Sequence, residues 1–147
     1  MRLLHGTSSR KAALIAEHGF LAGSYFTRGV DDAVFYAATG GEEDLQRREE
    51  EWEAAHGYPP REDYGSDVMS MMRDLYPDGD RPVIIVIDMP DNLASQASAD
   101  SGAEGGLCLG VPVPAEAIVD IIDVDWDLAE MEGYNPLAAT VCQNTCR

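Results

Sequence analysis

His5, Gly6 and Thr7 follow two leucines in the stretch RLLHGTS (2–8), so an imidazole, a bare backbone and a hydroxyl stand together where a short apolar strand reaches its turn. Such a set can hydrogen-bond a polar ligand at a strand end. Further along, SYFT (24–27) carries Tyr25 in a second strand pattern, and Tyr36 follows on a helical pattern with ten residues between the two tyrosines. A strand, a tight turn and two helical turns can bring two rings so spaced face to face across a gap about one ring thick. An aromatic clamp of that kind suits a flat ligand, above all a cationic one whose charge lies over the ring faces. The other two histidines have structural readings. His18 precedes Gly19 in a helix C-terminal turn, and His56 closes an acidic helix, where an imidazolium complements the helix dipole. No phosphate-binding loop, dinucleotide glycine fingerprint, zinc-protease helix or nucleophile elbow occurs in the chain.

The elements that must position these residues follow from hydrophobic period and punctuation. Residues 2–6 read as a strand. Ser8 and Ser9 are N-cap residues for a helix over 10–18 with Leu14 and Ile15 inward, and Gly19 stops it. SYFT is a strand and Gly29 breaks it. Asp31 or Asp32 starts a second helix with Ala33, Tyr36 and Ala37 on one face. EEDLQRREEEWEAAH (42–56) predicts a solvated acidic helix, and Val68, Met69, Met72 and Leu75 predict another over 66–76. PVIIVIDM (82–89) is an uninterrupted apolar run fit for a sheet centre. Residues 90–106 read as a long loop, 107–114 as a strand ending in prolines and 117–124 as a final strand, with a helical tail from Leu128. Strands interleaved with helices but without regular crossover spacing point to an α+β domain spanning 1–147 rather than a doubly wound sheet.

The totals exclude several classes. Ten Lys and Arg stand against 27 Asp and Glu, a formal charge of −17, which leaves no basic face for nucleic acid or an anionic membrane. A basic protein surface is the complementary partner. No apolar run is long enough for a membrane span, and the N-terminal apolar stretch is too short for a signal peptide, so a cytoplasmic location is expected. Three cysteines, Cys108, Cys142 and Cys146, make no disulfide framework, and the two in the tail lack companions for a metal site.

The order LLHGTS, then a helix and GF, then GSYFTRGVDDAVFYAA resembles the ADP-ribosyltransferase fold, in the branch marked by a histidine, a tyrosine pair and a late acid. Diphtheria-toxin-like enzymes, poly-ADP-ribose polymerases and rifamycin ADP-ribosyltransferases belong to that branch. The segment 82–124 is similar to the family's second half, whereas 40–80 looks like a helical insertion. The resemblance implies a split antiparallel sheet core and NAD as co-substrate. It implies that His5 takes a ribose hydroxyl of the adenosine half, that Gly6 offers backbone groups to the nicotinamide amide with room for the ring, and that Thr7 contacts ribose or phosphate. Tyr25 would line the nicotinamide, Tyr36 would stack on it, and Ser24 and Thr27 would support the wall. The catalytic acid would be Glu104 or Asp100, beside the ribose whose bond to nicotinamide breaks through an oxocarbenium-like state; Glu116 reads as a turn residue.

The resemblance implies a mono-ADP-ribosyltransferase acting on a protein with a basic surface, such as a phage or toxin-type effector working in a host cytoplasm. No paired-glutamate motif precedes GGLCLG, so arginine modification is not expected. RNA 2′-phosphotransfer conflicts with the charge. An NAD glycohydrolase, or a non-enzymatic acidic inhibitor that imitates nucleic acid toward a basic partner, are the competing readings.

Overall fold

The computed structural model describes residues 1–40, 42–60, 67, 71, 79–99, 106–125 and 135–137. Chain order runs β1 (Arg2–Ser8), α1 (Ser9–His18), β2 (Ser24–Thr27), α2 (Val30–Thr39), α3 (Glu42–His56), β3 (Pro82–Asp88), α4 (Asp91–Ala94), β4 (Ser98–Ala99), β5 (Gly106–Leu109), a 3₁₀ turn (Ala115–Ala117) and β6 (Ile118–Asp123). The strands form one antiparallel sheet in the order β4-β5-β2-β1-β3-β6. The domain is therefore α+β, as its element pattern predicts. No described helix is long and apolar enough to cross a membrane.

Side-chain alternation in the central strands builds two cores. Leu3, Phe26, Val83, Ile85 and Ile87 point to one face, where they pack with Ala12 of α1, Phe20 and Val113. Leu4, Ile84 and Val86 point to the other, beneath Ala33, Val34 and Ala37 of α2. β3 is buried on both faces, which is why its sequence is continuously apolar rather than alternating.

The ladders on the two sides of β1 are unequal. With β3 it pairs over its full length, from Arg2↔Asp88 to Ser8↔Pro82. With β2 it pairs at Leu4↔Thr27 alone. Beyond that pair the two strands part, and alternate residues of β1 aim their N–H and C=O at the opening.

α1 and α2 begin and end for identifiable reasons. The Ser8 hydroxyl accepts from Lys11 N–H at the start of α1, and Gly19, at φ 80°, ends it. Asp80 braces the same turn, accepting from the Ser9 hydroxyl at 2.6 Å and from the amides of Arg10 and Arg81 at 3.0 Å. Desolvation acts to raise the Asp80 pKa, but these hydrogen bonds outweigh it and hold the carboxyl below its ordinary value. α2 starts at Val30 with Gly29 as N-cap, slightly ahead of Asp31 and Asp32, which lie in its first turn; Gly40 in the left-handed region ends it.

Three expectations change. Leu14 is 60% exposed, because the inward stripe of α1 runs through Ala12 and Ile15 and leaves Leu14 on the flank. The stretch 90–106 is not all loop: it holds α4 and the short strand β4, which pairs with β5. The strand expected over 107–114 ends at Leu109, and Val113 forms only an isolated bridge with Phe20. The 66–76 helix and the tail from Leu128 lie outside the described residues apart from Asp67, Met71 and 135–137.

Gly6 is where α2 comes closest to the sheet. A Cβ there would lie 2.2 Å from the Ala33 carbonyl oxygen and 2.7 Å from the Ala37 nitrogen, both backbone atoms. Gly6→Ala is expected to lower stability by about 1–3 kcal/mol or more by lifting α2 from β1. An unchanged urea midpoint and slope would contradict this close packing.

Candidate functional site

The histidine expected to matter stands where β1 and β2 separate. His5 Nδ1 lies 2.6 Å from the Tyr25 carbonyl oxygen. A carbonyl oxygen can only accept, so Nδ1 carries the hydrogen and the neutral ring keeps its lone pair on Nε2. This single bond joins the two strands just past their last ladder pair. The ring itself packs into the α1-side core, with its centroid 5.1 Å from Phe20 and 5.8 Å from Phe26, while those two phenyl rings stand 5.0 Å apart in an edge-to-face arrangement.

Burial among these rings pushes the His5 pKa down, and the positive charge of Lys11 acts in the same direction; the bond to the Tyr25 carbonyl opposes them without overcoming them. His5 is therefore neutral at physiological pH. Nε2 makes no hydrogen bond to a described residue and is not sealed from solvent. It is an open acceptor suited to a hydroxyl group.

Tyr25 is 55% exposed. Alternation along β2 puts its ring on the α2 face of the sheet, opposite Phe26. Tyr36 is half-buried on α2, immediately before Ala37, the residue whose nitrogen lies over Gly6. Tyr25, Gly6 and Tyr36 thus share one face, and His5 belongs to the other while bonding Tyr25 through the gap between the strands. The phenyl ring of Phe35, 6.0 Å from that of Tyr36, supports the latter edge-on.

The remaining predicted residues divide between these faces. Thr7 is buried on the side of His5. The Ser24 hydroxyl donates to the Leu21 carbonyl at 2.6 Å and closes the turn before β2. Thr27 accepts from the Gly29 amide at 3.1 Å and points its hydroxyl at Asp32 at 3.4 Å, which orders the entry to α2. The space at the α-carbon of Gly6, expected to admit a ligand ring, is filled by α2 instead, so only its peptide groups remain for a ligand. Asp100 and Glu104 lie outside the described residues, between β4 and β5. Glu116 is exposed on the 3₁₀ turn, in keeping with its reading as a turn residue. His18 is exposed beside Glu17, and His56 stacks on Trp52 with ring centroids 3.9 Å apart.

Sequence reasoning missed Phe20 and Phe26 as the walls that hold His5, Asp32 as a partner of Thr27, and Lys11. The alternation Tyr25-Phe26-Thr27 carries the signal for Phe26. Nothing in the local pattern marks Lys11, whose positive charge acts on the His5 imidazole.

No family model matches the chain, and neither a curated protein nor a solved structure matches it.

The lowered His5 pKa has a stability consequence with a defined sign. Between its folded value and the ordinary value of about 6.5, the unfolded chain binds more protons than the folded one, so this contribution to stability is present above that window and falls as pH drops through it. His5 is expected to titrate below the ordinary histidine range in an NMR pH series, and as its Nδ1–H tautomer at neutral pH. A midpoint at or above about 6.5 would contradict the buried, carbonyl-bonded ring.

Proposed function

We propose that the chain is an NAD-dependent mono-ADP-ribosyltransferase of the histidine–tyrosine–acid kind, acting on a protein acceptor with a basic surface. The observation that carries this reading is the His5 Nδ1–Tyr25 carbonyl bond at the parting of β1 and β2, which leaves Nε2 as an open acceptor between two strands. A β1–β2 ladder reduced to one residue pair at this point, with Gly6 under α2 and both tyrosines on the α2 face, supports the ADP-ribosyltransferase-like architecture over a generic α+β sheet.

In this reading Nε2 of His5 accepts a hydroxyl of the adenosine ribose. Peptide groups of Gly6 and its neighbours meet the nicotinamide amide. Tyr25 and Tyr36 flank the nicotinamide ring, and their electron-rich faces favour its positive charge in the ground state. The bond between the ribose C1′ and the nicotinamide nitrogen breaks, and its electron pair leaves with the neutral nicotinamide. A carboxylate, Glu104 or Asp100, offsets the positive charge that develops on the ribose. An acceptor nucleophile then bonds C1′ and gives up its proton. The residues present fit the co-substrate in donor and acceptor type. The acidic surface fits a basic acceptor, by long-range attraction rather than by a shaped contact.

Nicotinamide release from NAD tests the reading. The parent is expected to release it, and His5→Ala and Tyr36→Ala are each expected to lower kcat/KM by about ten- to a hundredfold with the fold retained, as the loss of about 1.4–2.8 kcal/mol implies. Glu104→Gln and Asp100→Asn, made separately, identify the acid as whichever abolishes release. Release without transfer to any protein would make the chain an NAD glycohydrolase. No release by the parent, combined with inhibition of a basic partner that survives His5→Ala, would leave a binding protein.

A further inference from the structure

Strand β6 ends the sheet beyond β3, and no described strand pairs with its outer edge. The ladder fixes which peptide groups face that edge. Val124 N–H donates to the Pro82 carbonyl at 3.0 Å, so by alternation Asp120 and Ile122 also turn their peptide groups toward β3. Ile121 and Asp123 turn theirs outward. The Ile121 amide agrees with this: it donates to the Asp120 carboxylate at 2.8 Å instead of to a neighbouring strand. Two aliphatic side chains stand out along the same edge. Val119, where the ladder skips a residue, is 52% exposed and Ile121 is 39% exposed, with Asp120 between them.

Charge decides what such an edge can take. Asp123 already holds the Arg81 guanidinium at 2.6 Å. Asp120 is exposed and makes no ion pair with any described residue. Its carboxylate covers the outward Ile121 amide, in the way that charged side chains blunt an open strand. A second copy is a poor occupant. Each chain carries a formal charge of −17, and pairing two β6 edges would bring two Asp120 carboxylates into one interface. A strand with a Lys or Arg opposite Asp120 removes that obstacle: its cation takes the carboxylate, and its backbone carbonyl takes the Ile121 N–H that the carboxylate gives up.

We propose that the β6 edge docks an extended cationic segment of a partner protein, which joins the six-stranded sheet as a further antiparallel or parallel strand. The outward groups of Ile121 and Asp123 supply the ladder. Val119 and Ile121 pack against aliphatic side chains of the incoming strand, and Asp120 selects for positive charge. This docking does not depend on the reading of His5, since a transferase and a binding protein could each use it.

Fluorescence anisotropy of labelled synthetic peptides with the full chain tests it. A short Lys-Val repeat is expected to bind. A Glu-Val repeat of the same length is not, nor is a Lys-Pro repeat of the same charge, which lacks alternate N–H donors. Hydrogen exchange should slow at the Ile121 and Asp123 amides when the Lys-Val peptide is present. Asp120→Lys should weaken that peptide about tenfold, because an exposed attraction is replaced by a repulsion of similar size. Asp123→Pro removes an outward donor without removing a bond to β3, and should abolish binding. Asp120→Lys alters only an exposed side chain and keeps the test decisive if the proline unfolds the chain. Equal binding of the Lys-Val and Lys-Pro repeats would mean bulk attraction to an acidic chain and would overturn the proposal. So would no binding by the parent, unchanged affinity in Asp120→Lys, or a parent that sediments as a dimer with both amides already protected.

Discussion

The bond between the His5 imidazole and the Tyr25 carbonyl holds together what the sheet leaves apart. A ladder that ends after Leu4↔Thr27 would ordinarily let two strands drift, or fill the gap with water. Here an aromatic side chain bridges them, and two phenyl rings fix its plane. The same contact fixes the ring's orientation and its tautomer, and the tautomer makes Nε2 an acceptor. Backbone geometry and ligand chemistry are therefore set by one hydrogen. Removing the imidazole would disturb the strand junction as well as the acceptor, so the two effects must be read separately.

Around that junction each face of the sheet has its own task. The α1 side is densely apolar and supplies rigidity, with His5 in contact with Phe20 and Phe26. The α2 side is built from small residues, Ala33 and Ala37 against Gly6, so the helix backbone itself comes down onto β1. Tyr36 is half-buried on the same helix, next to Ala37. A larger residue at Gly6 would push the α2 backbone away from β1.

Much of this arrangement is legible in the sequence because local signals agree with their surroundings. RLLHGTS, SYFT and PVIIVID carry strand-like composition, and Ser8 and Gly19 mark helix ends where capping chemistry puts them. The division of His5 and Tyr25 between opposite faces is partly legible, since alternation relates neighbours in one strand but cannot say which face a later helix covers. Gly6 shows that limit. A glycine beside a histidine looks like room for a ligand, and only the path of α2 reveals that a helix takes it. The short strand β4 escapes notice because Ser-Ala has little strand character of its own, and pairing with β5 imposes its conformation. Leu14 is misplaced by pattern reading for a related reason: the helix is short, and buried Ala12 rather than a large side chain defines its inward stripe.

The pairing of β1 with β3 joins residues on either side of the long connection from Ser9 to Arg81. Closing a chain segment of that length costs conformational entropy, but the cost grows only with the logarithm of its length. Doubling the segment, as residues 40–80 roughly do, adds only about 0.6 kcal/mol. The acidic helix Glu42–His56 therefore adds little closure cost to the central ladder. That helix can lengthen, shorten or change its charge without retuning the strands, so evolution can reshape it independently of the junction at His5.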